Sequence, residues 1–160
     1  HDLFLKRIAP EDIVSSFDSN DKETMQNLYN KAKTELIFVP LAIEGEIEIP
    51  ATVEKFTYSA VNGCNKITAL HVEEGNANYK SVDGIVYSAD GKNVVVCPGG
   101  KTGSVTIADG TETIGTYAFN NCTKLIEITF SESLKSIGTY AFYNCDNMEE
   151  SVVFADFPLC

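Results

Sequence analysis

The sequence predicts an α/β repeat solenoid, with successive coils lining up a parallel sheet, a β-hairpin inserted between coils and a helical cap at the N-terminus. Three observations predict it. The stretch IGTYAFNNC at 114–122 returns as IGTYAFYNC at 137–145, eight of nine letters unchanged at an offset of 23 residues. Apolar letters at the head of each unit recur as L-x-x-[ILV]-x-[IVF], and the end of that string alternates as a strand does. Between the second and third units lie two apolar arms joined by Asp90-Gly91, a strong short-range hairpin signal. A catalytic motif needs to appear only once, whereas one recurring at fixed spacing marks a stacked structural unit. A unit of 23 residues cannot bury its apolar side alone, so the units must stack.

The first 40 residues read as the cap. Pro10 starts a short helix carrying Ile13, Val14 and Phe17. Asn20 followed by Glu23 has the form of a capping box, and Met25, Leu28, Tyr29 and Ala32 follow at helical spacing. An open solenoid end needs cover, which these helices would supply. The alternative is that they close a preceding domain.

Residues 41–160 read as the solenoid. Ile67, Leu70 and Val72 fit the opening string, as do Leu125, Ile128 and Phe130. The groups Glu44, Ile47, Ile49 and Thr102, Val105, Ile107 fit it with a polar first letter. A copy 58 residues before the first quoted stretch pairs Ile49 with Ile107, Phe56 with Ile114, Ala60 with Ala118 and Cys64 with Cys122. Since 58 is 23 plus 35, an insertion at about 74–103 separates the copies. It holds Ile85 and Tyr87 on one arm and Val94 and Val96 on the other, read as a two-stranded ribbon beside the coils. Gly115 and Gly138 stand where a coil turns, and A-F-x-x-C then carries three apolar groups inward. In the last copy Ser151 falls on a core letter, so a one-residue slip to Val152 and Phe154 is expected there.

The phrases IEIPATVEKFTYSAVNGC from Ile47, VTIADGTETIGTYAFNNC from Val105 and ITFSESLKSIGTYAFYNC from Ile128 resemble the BspA-like leucine-rich repeat family. The likeness covers roughly residues 44–154. It implies a leucine-rich-repeat-like right-handed coil, a location on the bacterial cell surface or outside the cell, and in some members adhesion to host proteins. The phrase NYKSVDGIVYS also resembles the hairpin insertions of that family. The first copy departs from the pattern at Glu44, Phe56-Thr57 and Val61.

Composition bounds the chemistry. A chain of 160 residues, 44% hydrophobic and 10% aromatic, is long enough for one domain with a real core. Its net charge of −11 repels phosphate backbones and anionic lipid, so neither nucleic acid nor direct membrane insertion is expected. No apolar stretch approaches the ~20 residues of a spanning helix. The first residue is His1 rather than Met, as in a processed or excised chain. The PGGKTG stretch at 98–103 would need its first phosphate-loop glycine at Val95, inside a hairpin arm, so it reads as a turn leaving a strand. DSNDKE at 18–23 lacks the calcium-loop glycine and has Lys22 at a ligand place. Only His1 and His71 could serve as bases, and His71 should face outward from its strand while Cys64, Cys122 and Cys145 face inward. The reading is therefore no enzyme, no cofactor and no metal site.

The five cysteines show no metal spacing, and the 23-residue gap between Cys122 and Cys145 is the repeat itself. Stacked coils bring equivalent Cα atoms within the range of a disulfide, about 4.8 Å. Parallel inward side chains do not converge as a bridge needs, which favours a buried row of thiols. Cys160 should be the most reactive of them. What remains is a protein-binding module, for which the resemblance implies an extracellular protein of a host as partner, or else a spacer or accessory domain of a larger surface protein, including a glycan-processing one. The outward strand positions are Glu46, Glu48, Ala69, His71, Ser104, Thr106, Glu127 and Thr129. They make a mildly acidic face of mostly short side chains, whose charge protonation of His71 would lower. The hairpin around Tyr87 is the next candidate surface.

Overall fold

The computed structural model describes residues 29–149 and the backbone of 13–15 and of Leu28. Where the sequence suggests helices before the solenoid, the described residues are strands. Strand β1 (Ile13–Ser15) pairs antiparallel with β2 (Leu28–Asn30), which pairs antiparallel with β3 (Leu36–Phe38). Thus Ile13, Val14, Leu28 and Tyr29 belong to a three-stranded sheet, and Ala32 to the turn after β2. The expectations at Pro10, Phe17, Asn20, Glu23 and Met25 lie outside the described residues, as do those at Ser151, Val152, Phe154 and Cys160.

Local chemistry explains the β2–β3 turn. Asn30 Oδ1 accepts from the backbone N–H of Thr34 (2.8 Å) and of Glu35 (3.1 Å), and Lys33 sits at a φ of 56°. An asparagine bonding the backbone beyond it reverses a chain. The helical spacing of Leu28, Tyr29 and Ala32 yields to tertiary pairing, as modest propensity does. Strand β3 then docks on the first coil: Leu36 N–H donates to Lys55 O (3.2 Å) and Val39 N–H to Ala60 O (2.8 Å). Tyr29, Leu36 and Val39 share one buried cluster with Ile47, Ile49, Phe56, Ile67 and Leu70.

About four coils follow. The first opens on β4 (Gly45–Ile49) and carries a single helical turn, α1 (Tyr58–Val61), the only α-helix among the described residues. The second opens on β5 (Ile67–Val72), then runs through β6 (Tyr79–Val82), β7 (Ile85–Ser88) and β8 (Asn93–Val96). The third holds β9 (Gly103–Thr106) and β10 (Thr113–Ile114), the fourth β11 (Leu125–Thr129) and β12 (Ser136–Ile137). On one side β4 pairs parallel with β5, Ile47 against Leu70, and β9 pairs parallel with β11, Val105 against Ile128. On the other, β8, β10 and β12 stack in parallel, Val94 beside Ile114 and Ile114 beside Ile137. The expected single parallel sheet is therefore two separate strand pairs with a second sheet on another side of the coil.

The reason is the insertion. Strands β6, β7 and β8 form an antiparallel meander whose last strand is itself part of the stacked sheet. Ile85, Val86 and Tyr87 are all at most 1% exposed. Ile85, Tyr87 and Val94 pack with the third and fourth coils, while Val86 and Val96 pack with the first and second. A strand buried on both faces reads as an unbroken apolar run. The insertion is thus a wall between two halves of the core, not a ribbon beside the coils.

Gly115 and Gly138 serve close approach rather than an unusual dihedral. A Cβ on Gly115 would lie 2.7 Å from Val94 O, and one on Gly138 would lie 2.6 Å from Thr116 N. Each glycine lets its coil settle on the coil before it. Gly100, in the stretch with phosphate-loop letters, does the same against Ile67 O, to which its N–H donates at 2.8 Å.

Candidate functional site

Strand register sets out the candidate face. Glu46 lies beside Ala69 and Glu48 beside His71 across β4 and β5; Ser104 lies beside Glu127 and Thr106 beside Thr129 across β9 and β11. Glu46, Glu48, His71, Ser104 and Thr106 are exposed, and Glu127, Thr129 and Ala69 are half-buried. Strict alternation fails at two places. The pairing skips Thr68 and Ile126, each an extra residue opposite a shorter partner strand. Such a bulge lets Ile67 and Leu70, or Leu125 and Ile128, both turn inward though three residues apart, and leaves Thr68 and Ile126 exposed.

The two strand pairs do not merge. A tight turn, Asp83-Gly84, reaches β5, where Gly84 O accepts from Leu70 N–H at 2.9 Å. Asp83 and Gly84 both hold positive φ, 54° and 76°, as a two-residue hairpin turn requires. A Cβ on Gly84 would stand 2.8 Å from Ala69 Cβ, so only glycine fits. The Lys101 ammonium donates to Asp83 O and lies 3.5 Å from the Asp83 carboxylate, its side chain only 13% exposed. Around this turn opens a cleft of about 340 Å³ lined by Glu46, Thr68, Ala69, His71, Ser81, Asp83, Gly84 and Lys101. Within it His71 Nε2 and Glu46 Oε2 meet at 2.8 Å. Sequence reasoning missed Asp83 and Lys101, although Asp83-Gly84 between Val82 and Ile85 carries the same hairpin signal as Asp90-Gly91.

The alternative surface is not available. Tyr87 is 1% exposed and its hydroxyl accepts from Ala108 N–H at 3.2 Å, with burial pushing its ionisation up. At the hairpin tip Asp90 accepts from the Ser88 hydroxyl and the Lys92 N–H, which hold its carboxyl below the usual range.

The cysteines form a row of donors. Cys64 Sγ donates to Val39 O (3.3 Å), Cys122 Sγ to Cys97 O (3.7 Å) and Cys145 Sγ to Phe119 O (3.0 Å). Each reaches a carbonyl about one coil earlier. All four described cysteines are free thiols. Burial pushes Cys64 up to about 11; burial and then the neighbouring Cys122 push Cys145 up to about 12. Outside them runs a stacked column, Tyr58 on Tyr117 at 4.3 Å and Tyr117 on Tyr140 at 5.3 Å between ring centroids. Beside it Asn120 donates to Asn62 (2.9 Å) and Asn144 to Asn121 (2.9 Å). Among the described residues no three His, Cys, Asp or Glu side chains converge as a metal would need, and no helix is long and apolar enough to cross a membrane.

The repeating core letters, the thiol row and the paired glycines are what a family comparison can test. Residues 99–156 match the model of the BspA type leucine rich repeat region. The third and fourth coils, which those residues span, are BspA-type leucine-rich repeats. Solved structures extend the likeness over 65% to 69% of the chain. The pneumococcal vaccine antigen PcpA matches at 27% identity and a TM-score of 0.62, over 69% of this chain and 27% of that one. A leucine rich cell surface protein from Faecalibacterium prausnitzii matches at 25% identity and a TM-score of 0.57, over 69% and 33%. A leucine-rich repeat protein from Eubacterium ventriosum, at 20% identity and a TM-score of 0.52, over 65% and 34%, shares the fold. This chain therefore covers 27% to 34% of these proteins' lengths. A comparison with curated proteins finds no match.

Proposed function

We propose that the chain is a non-enzymatic recognition domain of a bacterial cell-surface or secreted protein, and that its strand face docks an extracellular protein of a host. The observation that supports the reading is the register within two strand pairs, Glu46 and Glu48 beside Ala69 and His71, and Ser104 and Thr106 beside Glu127 and Thr129. Short side chains at Ser104, Thr106 and Thr129 leave the backbone approachable there, which suits a protein contact better than a deep small-molecule pocket. Likeness to a leucine rich cell surface protein supports the location.

The test is capture of purified host extracellular proteins by the immobilised domain, beside its Thr106→Arg and Thr129→Arg variants. A partner held by the parent and released by both variants, at unchanged melting temperature, supports the face. A partner held equally by all three removes it.

A further inference from the structure

The first and third coils touch directly through their asparagines. Asn120 Nδ2 donates to Asn62 Oδ1 at 2.9 Å, and Asn121 Nδ2 reaches the same oxygen at 3.4 Å. The other end of the Asn120 amide is different. Its Oδ1 is buried without a hydrogen-bond partner, the one side-chain nitrogen or oxygen of that kind among the described residues. Turning the amide over does not cure this, since an oxygen would then face Asn62 Oδ1 in place of its donor. A buried acceptor left without a donor is destabilising, and native proteins meet it with a protein group, a water or an ion.

Asn120 lines a cavity of about 20 Å³ together with Asn62, Cys64, Gly99 and Asn121. Gly99 brings no side chain to this wall. A Cβ there would stand 3.3 Å from Cys64 O and 3.6 Å from Asn121 O, two further acceptors at residues that line the cavity. One water needs roughly 10–15 Å³ of such space and about two to four polar partners. The site therefore asks for a small donor. We infer that a single water is bound here, donating one proton to Asn120 Oδ1 and the other to the Cys64 carbonyl, and so tying the third coil to the first. A metal cation fits less well. No carboxylate lines the cavity, and no three ligating side chains converge among the described residues. The site shares no residue with the strand face proposed above, so neither reading depends on the other.

The test is NMR of the full chain, reading nuclear Overhauser effects between water and the methyl protons of Val61 and Val96. Both side chains belong to residues lining the cavity, and their methyl protons do not exchange with solvent. Expected is a cross-peak with the sign of a long-lived water. Gly99→Ala, which sets a methyl among the same carbonyls, should abolish it while the hydroxyls of Tyr58 and Tyr117 remain. No such cross-peak in the parent overturns the inference. Urea melts give a second readout. Gly99→Ala expels the water and leaves Asn120 Oδ1 unpaired, so it should lower the folding equilibrium constant about tenfold in the parent. In an Asn120→Leu background, where no acceptor is left unpaired, the loss should be no more than about twofold. Equal losses in the two backgrounds would reduce the effect to crowding against Cys64 O and overturn the inference. Melts of the parent in potassium and sodium chloride at equal ionic strength should coincide. A midpoint that follows the cation would give the site to a metal ion and overturn the water.

Discussion

Tyr58 stacks on Tyr117 with ring centroids 4.3 Å apart and planes 22° apart, although 59 positions separate them (117 minus 58). The second coil lies between them in sequence and places no ring in the column. Its last side is cut down to Cys97, Pro98, Gly99 and Gly100, and the first and third coils close over that gap. Gly99 lies close against the first coil at that gap, where a Cβ would stand 3.3 Å from Cys64 O. Asn120 and Asn121 reach Asn62 across the same gap, at 2.9 and 3.4 Å. The insertion lengthens one side of the second coil and this shortening compensates on another.

A double-mutant cycle tests that contact. Tyr58→Ala and Tyr117→Ala should couple by about 0.5–1.5 kcal/mol in urea melts, the amount that stacked ring pairs add beyond their buried area. Additive losses would show that the rings share a surface without supporting each other.

Phe119 and Phe142 are also stacked, at 5.1 Å and 19°, yet they are not equivalent. Phe119 is fully buried, while Phe142 is half-buried on the fourth coil, against Phe130 on one edge. Phe119→Ala should cost ~3–5 kcal/mol, and Phe142→Ala roughly half of that or less. Equal losses would mean that the fourth coil is covered as fully as the third.

How much of this was legible follows from the range of each signal. The 23-residue phase placed Ile47 beside Leu70, Val105 beside Ile128 and Ile114 beside Ile137 correctly, because stacked coils repeat the same local environment. Outward placement of Glu46, Glu48, His71, Ser104 and Thr106 followed from it. The bulges at Thr68 and Ile126 break alternation without any letter that announces them. The meander was misjudged because burial on both faces depends on which coils flank it, and Ile85, Val86 and Tyr87 read the same either way. The strands at 13–15 and 28–30 were missed because their partners are distant in sequence, which a local helical spacing cannot register.

Gly138 offers a sharper test of coil stacking. Its Cβ position lies 2.6 Å from Thr116 N and 2.8 Å from Gly115 C, backbone atoms that cannot swing aside. Gly138→Ala should therefore destabilise by about 1–3 kcal/mol, as overpacking does. Gly110→Ala makes the comparison: at φ 85° it strains the backbone but meets nothing within 4 Å. A cost at Gly138 no larger than the ~0.5 kcal/mol scatter of surface changes would show that the coils separate more easily than the close approach implies.

The thiol row predicts a pH dependence of stability with a definite sign. Cys64 and Cys145 donate their protons to Val39 O and Phe119 O, which only the neutral thiol can do. Burial raises Cys64 from 9.0 to about 11 and Cys145 to about 12. A folded value above the unfolded one means that the unfolded chain loses its protons first as pH rises. The contribution is fully present below about pH 9 and drains away between there and about 11 to 12. Urea midpoints should hold steady from pH 7 to 8.5 and fall on the way to pH 10.5. Tyrosine and lysine titrate nearby, so the variant comparison decides: Cys64→Ala, less stable at neutral pH, should show a shallower fall than the parent. The same burial keeps a thiol reagent from Cys64 in the folded protein at pH 8 and admits it after unfolding. Labelling of folded Cys64 at the rate of free cysteine, together with a fall as steep in Cys64→Ala as in the parent, would show that its thiol does not hold the first coil to the segment before it.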